Sequence, residues 1–254
     1  MIQFGVFADL HYAKGITVCE TRTCYQSLDK LKVILPKMKH CDFIMNLGDL
    51  INGTGNIGLD EMYLDAVMEL LKSYPVYHVV GNHDAFSLPK EKIVPVMPGL
   101  GSVYSFDREE IRFIVLDGNF YDNSEAYNTT RHEWMNTLIP PAQIEWLKYE
   151  LEKCERAILF CHQNLDSRIW KESGLPDDRD PHCVINAGKV RAVIERSGKV
   201  KCVIQGHCHA GCETKINGVK YITLSALCEK DNKPYCIVTV VHEKISIQPF
   251  YGNE

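Results

Sequence analysis

The 254-residue sequence lacks any apolar run approaching the roughly 18 residues that a membrane-spanning helix needs; its apolar stretches are short, such as Cys236–Val241. It also lacks positive charge to spare. With 28 basic against 33 acidic side chains the formal net charge is −5, and no global basic surface is available for sequence-independent nucleic-acid binding. The eleven cysteines are odd in number and include no CxxC pair, which argues against a disulfide framework and for reduced thiols. Cys161 and Cys202, inside apolar runs, read as small buried hydrophobes. Low-complexity tracts, repeats and linker-like composition are absent as well. Met1–Phe7 has no basic n-region, and Asp9 interrupts it before an apolar h-region forms, so it reads as a strand rather than a leader. The expectation is one domain spanning 1–254, cytoplasmic, with neither a membrane nor a nucleic acid as partner.

Short β-branched or aromatic runs alternate with helical patterns, the signature of an α/β chain. Strands are expected at Ile2–Ala8, Asp42–Leu47, Val76–Val80, Arg112–Leu116, Ala157–Cys161 and Val200–Gln205. Helical spacing links Cys24, Leu28, Leu31, Leu35 and Met38, with Pro36 kinking or ending that helix. It also links Leu59, Met62, Ala66 and Leu70, and Ile144, Leu147 and Leu151 after Pro140-Pro141. A fourth helix runs from a cap at Asn186 through Val190 and Val193 to Arg196. Beyond Gly206 the strands Gly211–Ile216, Val219–Leu224, Tyr235–Val241 and Lys244–Gln248 suggest an antiparallel meander, with Asn217-Gly218 as a hairpin turn. Two connections, 119–140 and 163–185, exceed the roughly 12–15 residues of a plain loop and follow core strands directly.

The chemistry lies just beyond the C-terminal ends of five expected strands: Asp9-Leu10-His11, Gly48-Asp49, Gly81-Asn82-His83-Asp84, His162 and Gly206-His207-Cys208-His209. Ligands of wound α/β sheets gather at that edge. Each piece alone is ordinary turn chemistry; the convergence of three Asp, one Asn and five His is the signal. His207 and His209, at i and i+2, project to one side if the backbone there is extended. A structural zinc site using Cys208 and Cys212 is the competing reading, but the usual second CxxC or HxxxH half is missing.

Taken in order, Asp-x-His, Gly-Asp, Gly-Asn-His-Asp, a lone His after a strand and Gly-His-x-His resemble the calcineurin-like metallophosphoesterase superfamily over essentially the whole chain. The resemblance implies an α/β fold in which a two-sheet β-sandwich is flanked by helices in four layers, with a dinuclear metal site at one edge. It implies that Asp9, His11 and His209 bind one ion, that Asp49 bridges, and that Asn82, His162 and His207 complete the second. Mixed carboxylate, amide-oxygen and imidazole donors suit Mn²⁺, Fe, Zn²⁺ or Ni, with Mn favoured. A metal-activated hydroxide would be the nucleophile. His83 would reach the phosphate and leaving-group oxygen without binding metal, and Asp84 would hold its tautomer and raise its basicity. The glycines before Asp49, Asn82 and His207 would let the backbone turn sharply into the site. His40, His78, His132, His182 and His242 match no motif and read as ordinary residues, His132 and His182 least securely because they lie in the long connections.

Within that superfamily, Phe4–Ala13, Arg22–Tyr25, Val76–His83, Phe113–Asp117 and the Asn186–Val193 helix are similar to the manganese-dependent ADP-ribose/CDP-alcohol diphosphatases. Two departures are His11, where that subfamily commonly has Gln, and less material between Asp117 and His162. The resemblance implies hydrolysis of a phosphodiester or pyrophosphate bond in a small nucleotide-like substrate, the alternative being a phosphomonoesterase. Phe120, Tyr121, Tyr127 and Trp134 offer stacking surfaces, and Arg168, Trp170, Lys171 and Arg179 a second-phosphate contact. A non-catalytic scaffold would have lost motif histidines that this chain keeps. A nuclease would need a basic groove that it does not have.

Overall fold

The computed structural model describes residues 1–15, 21–94, 101–131, 134–167, 180–230, 233–242 and 244–250. Strands β1 (Ile2–Phe7), β2 (Phe43–Asn46), β3 (Val76–His78), β10 (Tyr235–Val241) and β11 (Lys244–Phe250) form a five-stranded sheet in the order β11-β10-β1-β2-β3. Strands β4 (Tyr104–Arg108), β5 (Ile111–Val115), β6 (Ala157–Cys161), β7 (Val200–Gln205), β8 (Cys212–Ile216) and β9 (Val219–Thr223) form a six-stranded sheet in the order β4-β5-β6-β7-β9-β8.

Alternation within the strands builds the layers. Phe4 and Val6 of β1 face Phe113 and Val115 of β5, Phe160 of β6 and Ile204 of β7 in a core between the sheets. There Phe4 stacks on Phe43 at 4.8 Å and meets Phe113 edge-on at 5.5 Å. Phe7 points the other way, into a core with α1 (Cys24–Ile34) and α2 (Ile57–Leu71). Ile114 and Leu159 turn outward onto α5 (Pro141–Glu152) and α6 (Ala187–Ser197), the two short helices α3 (Asn82–Ser87) and α4 (Lys90–Ile93) preceding these. The result is the expected two-sheet sandwich with helices on both outer faces.

Four details differ from the sequence reading. The last quarter is not a meander: β8 and β9 join the six-stranded sheet, β9 lying parallel to β7, whereas β10 joins the other sheet antiparallel to β1, with β11 antiparallel to β10 at its edge. Alternation marks a strand as half-buried, but not which of two sheets completes it. Strand β4 escaped notice because it is a short edge strand ending in a charged turn at Glu109-Glu110. Helix α2 buries Asp60, Tyr63, Leu64, Val67 and Leu71, leaving Leu59 and Met62 41% and 49% exposed. Its stripe is rotated because the Asp60 carboxylate turns inward to accept the N–H of Thr54 at 2.9 Å. Asn186 precedes α6 without a side-chain cap; its amide instead accepts from Ile139 N–H (3.1 Å) and donates to Ile139 O (2.7 Å), tying the 119–140 connection to the helix.

Strands β1, β2 and β3 run parallel in one sheet, and β5, β6, β7 and β9 in the other. Their C-terminal ends therefore open on a common edge, where the loops after β1, β2, β3, β6 and β7 meet. Among the described residues, no helix is long and apolar enough to cross a membrane.

Candidate metal centre

The loops at this edge are bonded to one another before any side chain is considered. Asp9 N–H donates to Gly48 O at 3.1 Å, His11 N–H to Asp49 O at 2.8 Å, and Cys228 N–H to Asp9 O at 3.0 Å. Four non-glycine residues here, Asp9, His11, Asp49 and His207, have φ of +54°, +47°, +55° and +68°. Each such backbone costs on the order of 1–3 kcal/mol and persists only where its surroundings over-determine it. Gly48, with φ +101°, needs its freedom, but Gly81, with φ −88°, does not. Gly81 is required for space: a Cβ there would lie 2.1 Å from Oδ1 of Asp49. Close approach, more than a sharp turn, is what these glycines supply.

The structure brings Asp9, His11, Asp49, Asn82, His162, His207 and His209 together, all buried except the partly exposed His209. Oδ2 of Asp49 lies 3.3 Å from Nε2 of His11 and 3.3 Å from Nε2 of His162. On one side Nε2 of His11 is 3.2 Å from Nε2 of His209, and Oδ1 of Asp9 is 3.8 Å from the latter. On the other side Oδ1 of Asn82 is 3.0 Å from Nε2 of His162, and His207 completes a trio with Asp49 and His162 whose ligand atoms all lie within 4.8 Å of one another. His207 and His209 thus serve opposite sides. They do so because β7 ends at Gln205 and His207 takes a left-handed turn, its N–H held by the Asp9 carboxylate at 3.1 Å, rather than the extended run expected.

The donor set fits divalent cations. Burial pushes His11 and His207 well below the ordinary imidazole value, so both rings are neutral and offer lone pairs. Nε2 of His207 is buried with no hydrogen-bond partner among the described residues, as is the Nδ2 of Asn82. Burial works to raise Asp49, but His162, His83 and His11 outweigh it and hold the carboxyl well below its usual range. Burial likewise opposes charge on His162, yet the Asp49 carboxylate raises that ring to about 9. A cluster rich in imidazole and carboxylate donors, with a buried orphan nitrogen, is what N/O-ligated Mn²⁺, Fe or Zn²⁺ takes. The Cys228 thiol also approaches His209 Nδ1, at 3.8 Å, but burial pushes it up and keeps it protonated.

His83 lies in the first turn of α3 beside this cluster, its ring 4.4 Å from that of His11. Its backbone N–H donates to Oδ1 of Asp49 at 2.8 Å, and its Nδ1 is 2.7 Å from the carbonyl oxygen of Asn52. That carbonyl, not Asp84, fixes the tautomer and leaves Nε2 on the site side. The two oxygens of Asp84 are taken by the N–H groups of Asp49 (2.9 Å), Gly81 (3.0 Å) and Ile51 (3.2 Å). The ring is also not made more basic: burial lowers it, against the opposing pull of Asp49.

Glu229 was not legible in the sequence. It accepts from Nδ1 of His209 at 2.7 Å and turns Nε2 toward Asp9. His182, read as ordinary, stands against the site, its ring 5.6 Å from that of His207 and 5.6 Å from that of Trp134. Of the four aromatics expected to offer stacking surfaces, Trp134 reaches the site, 6.0 Å from His207. Tyr121 and Tyr127 are buried in the core against each other, and Phe120 packs under Lys90. His132, Arg168, Trp170, Lys171 and Arg179 lie outside the described residues.

Residues 2–211 match the family model described as calcineurin-like phosphoesterase. The chain is 24% identical to a manganese-dependent ADP-ribose/CDP-alcohol diphosphatase of Arabidopsis thaliana, over 97% of this chain and 93% of that protein. It is 23% identical to a protein of the same name from Oryza sativa subsp. japonica, over 90% and 84%. The crystal structure of a dimetal phosphatase from Danio rerio shares the fold, with a TM-score of 0.78 at 20% identity over 98% of this chain and 95% of that one. With five ligand-bearing loops converging at the edge of a two-sheet sandwich, and most of its length matched by that model, the chain belongs to the calcineurin-like phosphoesterase family and is a metal-dependent phosphoesterase.

Proposed function

We propose that the protein hydrolyses a phosphodiester or pyrophosphate bond in a small nucleotide-like substrate at a two-ion centre. The observation that carries this is Asp49, whose Oδ2 stands 3.3 Å from one imidazole nitrogen on each side. Asp9, His11 and His209 would hold one ion, Asn82, His162 and His207 the other, and Asp49 would serve both. When bound, the ions supply Lewis acidity to the phosphoryl oxygens and to the attacking water. His83 is positioned, by the Asn52 carbonyl at Nδ1, to present Nε2 to the leaving-group oxygen. Gly81 lets the first turn of α3 lie against Asp49, so that His83 and the ion ligands share one rigid floor.

Manganese as the ion and a nucleotide-like substrate are supported by the names of the two plant relatives. A diphosphate or diester has a second group beyond the reacting phosphorus, and the Trp134–His182 pair beside His207 offers it an aromatic surface. Both sheets contribute ligands, which supports residues 1–254 acting as a single domain.

The test is hydrolysis by metal-stripped protein, reloaded with Mn²⁺, of bis-p-nitrophenyl phosphate, p-nitrophenyl phosphate, ADP-ribose and CDP-choline side by side. Preference for the diester or the pyrophosphates supports this reading. Preference for p-nitrophenyl phosphate replaces it with a phosphomonoesterase, and silence on all four with two ions bound overturns the substrate class.

A further inference from the structure

Strand β5 carries none of the candidate ligands, yet two polar residues just past its end, Asp117 and Asn119, are completely buried. The side-chain amide of Asn119 is spent in three directions. Its Nδ2 donates to the carbonyl of Val80, two residues before Asn82, at 2.7 Å, and to Oδ1 of Asp117 at 2.9 Å. Its Oδ1 accepts from Nε2 of Gln163, the neighbour of His162, at 2.7 Å. One buried amide therefore joins the loop that carries Asn82 to the loop that carries His162. Those two side chains meet at 3.0 Å, and both belong to the same side of the centre.

The amide is itself held. Oδ1 of Asp117 also accepts the backbone N–H of Asn119 at 2.9 Å, while its Oδ2 accepts from Nζ of Lys90 at 2.6 Å. Gln143 of α5 clasps the main chain of Asp117, accepting its N–H at 2.8 Å and donating to its carbonyl at 3.0 Å. A buried carboxylate persists where it is paired and hydrogen-bonded in this way. Lys90 begins α4, so residues 117–119 grip the stretch from Val80 to Lys90 at both ends, with Asn82 and His83 between. Gly118 is needed for space: a Cβ there would lie 2.4 Å from Oε1 of Gln163. An apolar side chain in place of Asn119 would leave the Val80 carbonyl, the Gln163 amide and Asp117 each short of a partner.

We propose that Asn119 is a positioning residue for the second ion, setting the span between Asn82 and His162, with Asp117 and Lys90 as its support. This rests on the two-ion reading above and goes beyond its ligand set: one ion can be weakened from a strand end that touches neither metal nor substrate.

The experiment titrates metal-stripped wild type, Asn119→Ala, Gln163→Met and Gln143→Met with Mn²⁺ by calorimetry. Thermal melts of the metal-free proteins and paramagnetic resonance of the loaded ones accompany it. Asn119→Ala and Gln163→Met are expected to weaken one of two binding steps by about 10- to 100-fold, leaving the other near wild type. The exchange-coupled spectrum of an ion pair should give way to that of isolated Mn²⁺. Gln143→Met removes an amide from the same aspartate but on the α5 side, and should lower the melting temperature while both binding steps persist. If Asn119→Ala does not fold, Gln163→Met decides, because it keeps the Val80 and Asp117 contacts and removes only the tether toward His162. Unchanged titration in Gln163→Met, equal weakening of both steps, or the same selective loss in Gln143→Met overturns the assignment. If the wild type takes up a single ion, the two-ion reading fails separately. The positioning role then stands where Gln163→Met weakens that ion and Gln143→Met does not, and falls otherwise.

Discussion

Oδ2 of Asp84 accepts the backbone N–H of Asp49 at 2.9 Å. The residue expected to steer His83 thus pins the main chain of the carboxylate that lies between the two groups of imidazoles. Asp49 sits at φ +55°, and Asp84 also gathers the N–H groups of Gly81 and Ile51, so one side chain holds two loops and a strained residue in place.

Replacing Asp84 by Ala removes the acceptor for three buried N–H groups, each worth about 1–3 kcal/mol when orphaned. The expected outcome is a marked fall in melting temperature together with loss of bound Mn²⁺, since Asp49 is no longer held. Asp84→Asn, which keeps one acceptor oxygen, should fall between. Thermal melts and metal analysis check this, and an Asp84→Ala protein with unchanged melting and full metal content would remove Asp84 from this positioning role.

His83→Ala should behave in the opposite way. The contact from His83 to Asp49 is made by its backbone N–H, which alanine retains, and in the proposed ligand set its ring binds no ion. Metal content and melting temperature should stay near wild type while kcat falls about 10²- to 10⁴-fold, the range for general-acid help. Asp49→Ala, by contrast, should lose at least one ion. Loss of metal in the His83 variant, or two-ion occupancy in the Asp49 variant, contradicts the division of roles.

The candidate ligand residues were legible because each lies just beyond a short strand, and five such ends in a wound fold meet at one edge. What joins them was not. Glu229 lies 20 residues beyond His209, in a segment whose sequence carries no motif, and reaches it only because 227–229 crosses beneath Asp9. The role of Asp84 was misplaced because adjacency in Asn-His-Asp suggests a side-chain pair, whereas the first turn of α3 points Asp84 back at the N–H groups of the neighbouring loop. The left-handed turn at His207 left no trace in residue type, since the strain is compensated by Asp9, 198 residues away. Sheet membership of β9 and β10 was equally hidden, because both present the same half-buried alternation.

Glu229 should tune metal affinity without binding metal. Its carboxylate fixes the His209 ring through Nδ1 at 2.7 Å, and such outer partners are typically worth 10- to 100-fold in affinity. Glu229→Ala is expected to weaken Mn²⁺ at one of two sites by that factor. Glu229→Gln, which still offers an oxygen to Nδ1–H, should weaken it less. Competition titration with a metal indicator reads both steps, and equal weakening of the two sites would refute the assignment of Glu229 to His209 alone.

Acid sensitivity should have a component that is independent of metal, carried by His78 at the end of β3. The ring is buried, its Nδ1 is 3.3 Å from the side-chain nitrogen of Asn46, and its Nε2 has no hydrogen-bond partner among the described residues. Burial alone lowers it from 6.5 to about 4, because nothing around it compensates a charge. Below pH 6.5 the unfolded chain takes up a proton here that the folded chain refuses, so stability is at its full value above 6.5 and declines as pH falls through the folded pKa near 4. The loss approaches about 3 kcal/mol at the acid end of that window, from roughly 1.4 kcal/mol per unit. Protonation would also set an N–H against the Asn46 amide, whose oxygen accepts from Gly48 one residue before Asp49. Urea unfolding of the metal-free protein between pH 7 and 4.5 should therefore show a shallower decline in His78→Gln than in wild type. Parallel pH profiles for the two proteins would show that His78 does not carry this component.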